Sequence, residues 1–524
     1  MKKDRFIAAV ILVLGIAAVV VSIACESQIK KGFARLTYDY NDEQIISSGY
    51  FDVFVPKDEN RHLPSDVVSY SFGDGYVHVV LPTAVNEKNV VVYIRNEAEE
   101  YMSRRVCDFT QDVYVGDWQI VVDRPDLPVL YFMSNHKNDY ENMIASESTD
   151  MKTQGNMQIC VNEDAARENG WNTEYLSSES GYSRVYEASL QGRGSSSWDC
   201  NVKKSFSLRL EKKLNLLGMG ANKNWNLIGC AYDVSLLKNT VFNKLASDAG
   251  IGYQPKMQYV DLYVDGVYQG VYLLTTKISV DESRVALSKH DFFYKMDPPT
   301  QDQPIYYDSQ TWFEDGNDRP VADLLYPKKA SDTQLKEAQE KLQKVIDAME
   351  DPYSDDLYGL VDVDSLIRYY WVQEATMNFD AWQRSVYMYY SAKDGKMHFG
   401  PVWDMDITLG SPYTKANMAF DSAQGYRIRY AGWYSSLFLR EDFVEDVRDI
   451  YYNKGVRDAL RASVDEFIKQ KDILAQDGYL NFAMFGHANQ GTTIMYGDTY
   501  DEYCNNMIAF YVRRLDWIDE QMSQ

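Results

Sequence analysis

The sequence predicts an α+β chain, β-rich first and helix-rich afterwards, preceded by an all-β sandwich and an apolar N-terminal segment. Three observations carry this. Short alternating apolar runs broken by turn residues dominate as far as Ile278. Apolar spacing of three and four residues, with recognisable caps, dominates after Ser331. Between the later helices lies one hairpin pattern flanked by aspartates, Asn378 to Gly410.

At 524 residues the chain is long enough for roughly two or three domains. Aromatic residues make up 14%, with 41 Tyr, which excludes a disordered chain. Lys and Arg number 53 against 77 Asp and Glu, a net charge of −24, which argues against binding nucleic acid. The same balance suits a basic protein partner. Cys107, Cys160, Cys200, Cys230 and Cys504 have no CxxC spacing, so neither a disulfide framework nor a zinc site is implied. The six His residues are scattered singly and receive no role.

Lys2, Lys3 and Arg5 precede an apolar run from Phe6 to Cys25, the pattern of a secretory signal or a single signal-anchor helix. Positive residues stay cytoplasmic, which would leave the remainder outside. Ser22 to Cys25 resembles a lipoprotein cleavage box, with Ser22 where an aliphatic residue is usual. Residues 1–31 are therefore read as a membrane anchor, either one transmembrane helix or a lipid on Cys25. Residues 32–125 hold the runs YFDVFV, VVSYSF, YVHVVLP, NVVVYIR and VYVGDWQIVVD, spaced as in a β-sandwich accessory domain.

Residues 126–524 form the main unit. LPVLYFMS and MQICVN read as strands. A strand from Val185 to Leu190 runs into Gly192-Arg193-Gly194-Ser195-Ser196-Ser197, and Lys203-Lys204 leads into a second, Ser205 to Leu210. Backbone N–H groups and hydroxyls of such a loop can hold phosphates while a lysine neutralises their charge. A Gly/Ser loop alone is common without phosphate; Arg193 and the lysine pair favour it. The run LLKNTVFNKLASDAG is a helix ending at Gly250, capped by Asp233 or Ser235. QYVDLYVDGVYQGVYLLTTKI is a strand pair around Asp265-Gly266. Asp281 to Lys329 reads as irregular.

Ser331 to Gln334 is a capping box opening a helix to about Met349. Asp364 opens another, which delivers Asn378 and Asp380. The hairpin follows: Val386 to Tyr390, a turn at Lys393 to Lys396, and a second strand ending in Trp403-Asp404-Met405-Asp406. Folding back brings Asp380 and Asp404 to one place, where carboxylates repel unless a cation or a shared proton compensates. Oxygen-only donors favour magnesium, calcium or manganese over zinc. The competing reading is a set of solvated loop carboxylates. Helices near Arg440 to Tyr452, Val456 to Gln476 and Tyr500 to Met522 complete a two-lobed, kinase-like order, with an N-lobe over about 126–300 and a C-lobe over about 301–524.

In order along the chain, QGRGSSSW, KKSFSLRL, LNLLGMG, NWNLIGCAYDVSLLKN, LYVDGVYQGVYLLTTKI, NFDAWQRSVYMYY, FGPVWDMDITLG and the closing EYCNNMIAFYVRRLDWIDEQM resemble the CotH kinase family, named for spore-coat protein H. The resemblance runs from about Leu127 to the C-terminus. It implies an atypical protein-kinase fold that uses ATP with magnesium or manganese to phosphorylate Ser on a basic, Ser-rich surface, coat or matrix protein. Through it, Asp380 resembles the catalytic-loop aspartate, Asp404 the metal-binding aspartate, and Asp406 a second ligand. Lys204 resembles the phosphate-binding lysine, with Lys203 as rival. Arg193, Ser195, Ser196 and Ser197 resemble the phosphate-covering loop, and Asn239 a helix residue facing the site.

The chain departs from the family at Lys238, where Arg is usual, and at Thr276 and Lys295, where Glu is usual; beside Lys295 an acid remains at Asp297. Ser385 stands where ordinary kinases keep a metal-binding Asn. These departures support a second reading, a pseudokinase retained as a surface-binding or adhesion protein. A third, from paired acids and abundant aromatics, is a carboxylate glycoside hydrolase.

Overall fold

The computed structural model describes residues 42–47, 51–56, 69–73, 76–80, 88, 90–95, 101–115, 118–123, 127–136, 138–176, 181–194, 196–200, 203–296, 302–311, 320–409, 422–485 and 496–524. The N-terminal apolar run, Ser195 and Asp297 lie outside them. Among the described residues no helix is long and apolar enough to cross a membrane.

The first alternating runs become β1 (Asp42–Ser47), β2 (Phe51–Pro56), β3 (Ser69–Gly73), β4 (Tyr76–Val80), β5 (Val90–Arg95), β6 (Tyr101–Cys107), β7 (Val113–Val115) and β8 (Trp118–Asp123). They form two four-stranded sheets, ordered β1-β2-β5-β6 and β3-β4-β8-β7.

Next come β9 (Val129–Ser134), α1 (Asp139–Ile144), β10 (Lys152–Cys160), α2 (Glu163–Asn169), β11 (Tyr186–Arg193), α3 (Ser196–Cys200), β12 (Ser205–Leu214), β13 (Asn222–Ile228), α4 (Lys238–Asp248), β14 (Met257–Val264) and β15 (Val267–Thr276). Seven of these strands close a barrel in the order β10-β11-β12-β13-β15-β14-β9. The neighbouring hairpins follow from local alternation. Closure comes from the parallel pairing of β9 with β14, a contact far apart in sequence. Leu130, Phe132, Leu190, Phe206, Trp225 and Leu274 alternate inward to fill it. Gly155 is required where β10 crosses β9, because a Cβ there would lie 2.3 Å from the Met133 carbonyl oxygen.

The chain continues through β16 (Phe292–Met296), β17 (Pro304–Tyr306), β18 (Val321–Tyr326), α5 (Asp332–Glu350), α6 (Leu357–Leu360), α7 (Val363–Thr376), β19 (Val386–Ser391), β20 (Lys396–Phe399), α8 (Tyr434–Leu437), α9 (Glu441–Asn453), α10 (Val456–Phe485) and α11 (Tyr500–Ser523). A second sheet is ordered β17-β18-β16-β19-β20, so the expected hairpin is its edge rather than a free-standing ribbon. Three of its strands come from the stretch between Asp281 and Lys329 that had read as irregular. Those strands are only three to six residues long, too short to declare a period, and β16 takes its partner from β19 across three helices.

Several boundaries shift for local reasons. Both halves of the Ser331/Gln334 capping box form. The cap of α7 is Asp362, which accepts the Ser365 N–H at 2.7 Å, rather than Asp364. β20 stops at Phe399 instead of running on to Asp406, because Pro401 has no N–H to give a ladder. α10 continues to Phe485 rather than ending at Gln476. A continuous core joins α4 to the helical half, with Phe242 edge-on to Phe467 at 5.2 Å and Trp371 fully buried.

Candidate active site

Asp404 lies just beyond β20, in the left-handed backbone region at φ 63°, which Asp tolerates better than most residues. A single tight turn, Met405–Ile407, follows. The start of α4 holds this loop. Asn239 Oδ1 accepts the Met405 N–H at 3.0 Å, and Lys238 Nζ donates to the carbonyls of Asp406 at 3.3 Å and Thr408 at 3.0 Å. Lys238 is 2% exposed; burial lowers the proton affinity of its amine, while Asp233 and Asp406 oppose that shift. Asp233, wholly buried, accepts the Lys238 N–H at 2.8 Å and fixes the helix start.

The segment carrying Asp380 is tied to this loop at both ends. Asn378 Nδ2 donates to Gln373 Oε1 at 2.7 Å and reaches Met405 Sδ at 3.6 Å. Its Oδ1 accepts the Asp380 N–H at 3.1 Å. Ser385 Oγ donates to Asp404 Oδ2 at 3.2 Å. Asp380 is half-buried and Asp404 exposed. Asp406 is 7% exposed. Burial pushes its carboxyl up to about 8, Asp404 and Asp233 push the same way, and Lys238 opposes them. This all-oxygen pair, in which Asp404 adds to the cost of charging buried Asp406, fits a hard divalent cation. Asp362, Asp394 and His398 also gather as possible metal ligands, but His398 sets Nε2 2.9 Å from Asp394 and Nδ1 3.6 Å from Asp362. Each ring nitrogen therefore bridges to a different carboxylate. Asp362 caps the start of α7, about 20 Å of helix away from Asn378.

Arg193 ends β11 with its guanidinium carbon 5.5 Å from the centre of the Trp403 ring. Desolvation lowers its proton affinity, and Asp404, Tyr387 and Asp406 raise it, so it shares the site. The serine loop is not an open hairpin: Ser196 and Ser197 begin α3. Trp198 fills the space over Gly192, where a Cβ would meet its ring at 2.6 Å.

Neither expected lysine is placed with Asp404. Lys204 Nζ donates to the Trp198 carbonyl and lies 5.2 Å from that residue's ring centre. Lys203, 3% exposed, donates to the Val271 carbonyl and, at 2.6 Å, to Asn481 Oδ1 of α10. Burial brings its amine down to about 7. Successive residues entering β12 point to opposite faces, so one lysine reaches α10 and the other α3. The departures are likewise engaged. Thr276 Oγ1 accepts the Lys256 N–H at 3.0 Å and pairs with the Tyr253 hydroxyl at 2.9 Å. Lys295 lies 5.9 Å from the Tyr387 ring centre.

Sequence reasoning missed a second fixed loop. Glu374 of α7 and Arg514 of α11 are both wholly buried and pair at 2.5 Å. The Glu374 carboxylate also accepts the N–H groups of Arg427, Ile428 and Arg429 at 2.7, 2.8 and 2.9 Å. Arg514 Nη1 donates to the carbonyls of Ala423 and Gly425. No local pattern marks such a pair; only the rarity of an Arg on an apolar helix face hinted at it.

The architecture defines an α+β protein with an oxygen-rich loop bordered by buried Lys238 and half-buried Arg193. The family model described as CotH kinase protein matches residues 190–518, so this chain belongs to the CotH kinase family, and a kinase-like function goes with that membership. The match begins within β11, leaving β9 and β10 of the barrel outside it. No curated protein matches the chain significantly.

Proposed function

We propose that this chain is a protein kinase that uses ATP and magnesium or manganese to phosphorylate Ser on a basic surface, coat or matrix protein outside the cytoplasm. The barrel would act as N-lobe and the helical half as C-lobe, with the N-terminal segment holding the protein at a membrane. The observation that carries this reading is the cross-tie between the Asp380 segment and the Asp404 loop, together with the cost of charging Asp406, whose carboxyl burial and two neighbouring aspartates push up. Asp404 and Asp406 would hold the cation, which supplies neutralisation of phosphate charge. Asp380 accepts the proton of the substrate hydroxyl as its oxygen attacks the γ-phosphorus. The bond to the β-phosphate oxygen breaks, and ADP leaves. Asn239 and Lys238 hold the loop in place for this.

A second reading, a pseudokinase used for surface binding, is favoured by Thr276 and Lys295, which fill positions usual for Glu with groups that hold the protein's own backbone and rings. The two separate in one assay: the full chain with γ-labelled ATP and magnesium or manganese, scoring self-labelling and transfer to a basic Ser-rich peptide. The kinase reading expects transfer that Asp404→Asn reduces by about 100-fold or more, the scale of one lost electrostatic partner of the transition state. No transfer, with no melting shift from ATP, sinks it. A melting shift without transfer leaves the pseudokinase.

A further inference from the structure

We propose that Tyr353, Tyr430 and Leu439 form a docking face for a basic polypeptide segment that carries an apolar anchor, and that this face leads to Asp380. The binding stands apart from the kinase reading; delivery of a Ser hydroxyl to Asp380 rests on it.

The three side chains are 90%, 70% and 73% exposed. Exposed apolar groups are informative when they are contiguous, and contacts join these. Arg429 sets its guanidinium carbon 4.4 Å from the Phe438 ring centre, 4.7 Å from that of Tyr426 and 5.9 Å from that of Tyr430. Leu439 follows Phe438. Arg440, the next residue, donates from Nη1 to the carbonyls of Ser354 at 2.6 Å and Pro352 at 3.5 Å, which flank Tyr353. The other end of the face meets the Asp380 segment. Gly432 has φ 50°, and a Cβ there would lie 2.6 Å from the Trp382 ring. Tyr430 thus stands two residues from backbone packed on Trp382, which is itself two residues after Asp380.

The backbone beneath the face is fixed, which lowers the ordering cost of binding. The Arg429 N–H donates to Glu374 at 2.9 Å, and Arg440 grips Asp442 with two bonds of 3.1 and 2.9 Å.

Charge selects the occupant. Asp351, Asp355, Asp356 and Glu441 are exposed on the segments that carry Tyr353 and Leu439. Among the described residues none of these four pairs with a Lys or Arg, whereas Arg440 is matched by Asp442 and Arg429 is covered by rings. A second copy of this chain, at net charge −24, or an anionic lipid surface would meet repulsion here. A segment with Lys or Arg around a Leu or an aromatic ring meets complementary charge and buries the exposed side chains.

The test follows binding of a short fluorescein-labelled peptide of Lys, Gly and Ser around one Leu to the full chain, by anisotropy and without nucleotide. Leu439→Ser, Tyr353→Ser and Tyr430→Ser should each weaken it about tenfold, the scale of a lost anchor. Asp355→Asn with Asp356→Asn should weaken it about threefold and flatten its salt dependence. Val267→Ser, also exposed but on the barrel, should bind as wild type does. Glu in place of each Lys of the peptide should abolish binding. No binding by the wild type, equal binding of the Glu peptide, or a Leu439→Ser variant that binds as wild type does would overturn the face. A peptide-free dimer that Leu439→Ser dissolves would also overturn it, giving the face to a second copy. Should binding behave as expected while no label is transferred, the kinase reading alone fails. Transfer with the peptide KM unchanged in Leu439→Ser removes the docking face and spares the kinase.

Discussion

Two loops of this molecule are held by buried charge, and they are compensated differently. The segment from Ala423 to Arg429 hangs on Glu374, whose carboxylate receives three backbone N–H groups and Arg514, so its demands are met inside the protein. The Asp404 loop is held the other way round: Lys238 and Asn239 bind its backbone, and burial together with Asp404 and Asp233 pushes the Asp406 carboxyl up against the opposing charge of Lys238. The Glu374 carboxylate is met by four donors from within, whereas the Asp406 carboxyl is met by burial and like charge, the pattern of a functional site. Both loops are anchored at α7 or at the loop that follows it, which sets them in register with Asp380.

The sharpest way to break the comparison is to leave one side of the saturated pair alone. Arg514→Met strands the Glu374 carboxylate and should cost about 3–5 kcal/mol in denaturant unfolding. Glu374→Gln with Arg514→Met should cost less than the sum of the single changes, because no buried charge is then orphaned. Additive losses would show that the pair is not the unit.

A smaller effect concerns Lys203, whose buried amine donates to the Val271 carbonyl and to Asn481 Oδ1. Its amine gives up its proton at about 7 in the folded protein and at 10.5 in the unfolded chain. Between those values the unfolded chain binds the extra proton, so stability should climb with pH, by up to about 1.4 kcal/mol per unit. A neutral amine still has two N–H groups for the Val271 and Asn481 oxygens. Urea unfolding at pH 7.5, 8.5 and 9.5 should therefore show the wild type gaining on Lys203→Met as pH rises. Parallel curves would mean that the lysine stays charged.

Much of this was legible in the sequence. The Asp-Gly turn at 265–266, the capping box at Ser331 and the alternation around Lys393 to Lys396 each declare local structure through residue types that only those turns and caps favour. Local pattern also carried Asn378, Asp380, Asp404 and Asp406 to one neighbourhood, since a hairpin returns its ends together. Closure of the barrel by β9 on β14, the strands β16 to β18 and the Glu374–Arg514 pair depend on partners far apart in sequence, and no window of residues contains them. The directions of Lys203 and Lys204 meet the same limit, because they depend on what α3 and α10 pack against, which spacing along β12 does not encode.

The central claim, that the Asp404 loop keeps negative charge in reserve for a cation, is tested most directly by thermal melting of the full chain and Asp406→Asn. Each is melted without divalent metal and with manganese and ATP. At pH 8.5, above the value of about 8 to which the Asp406 carboxyl is pushed, removing this buried carboxylate from beside Asp404 and Asp233 should raise the metal-free melting temperature by about 2 °C or more. With manganese and ATP the order should reverse, the wild type gaining more because it keeps both oxygen donors. A variant that melts below the wild type in both conditions by the same margin would contradict the account, and would make Asp406 a structural residue like Glu374.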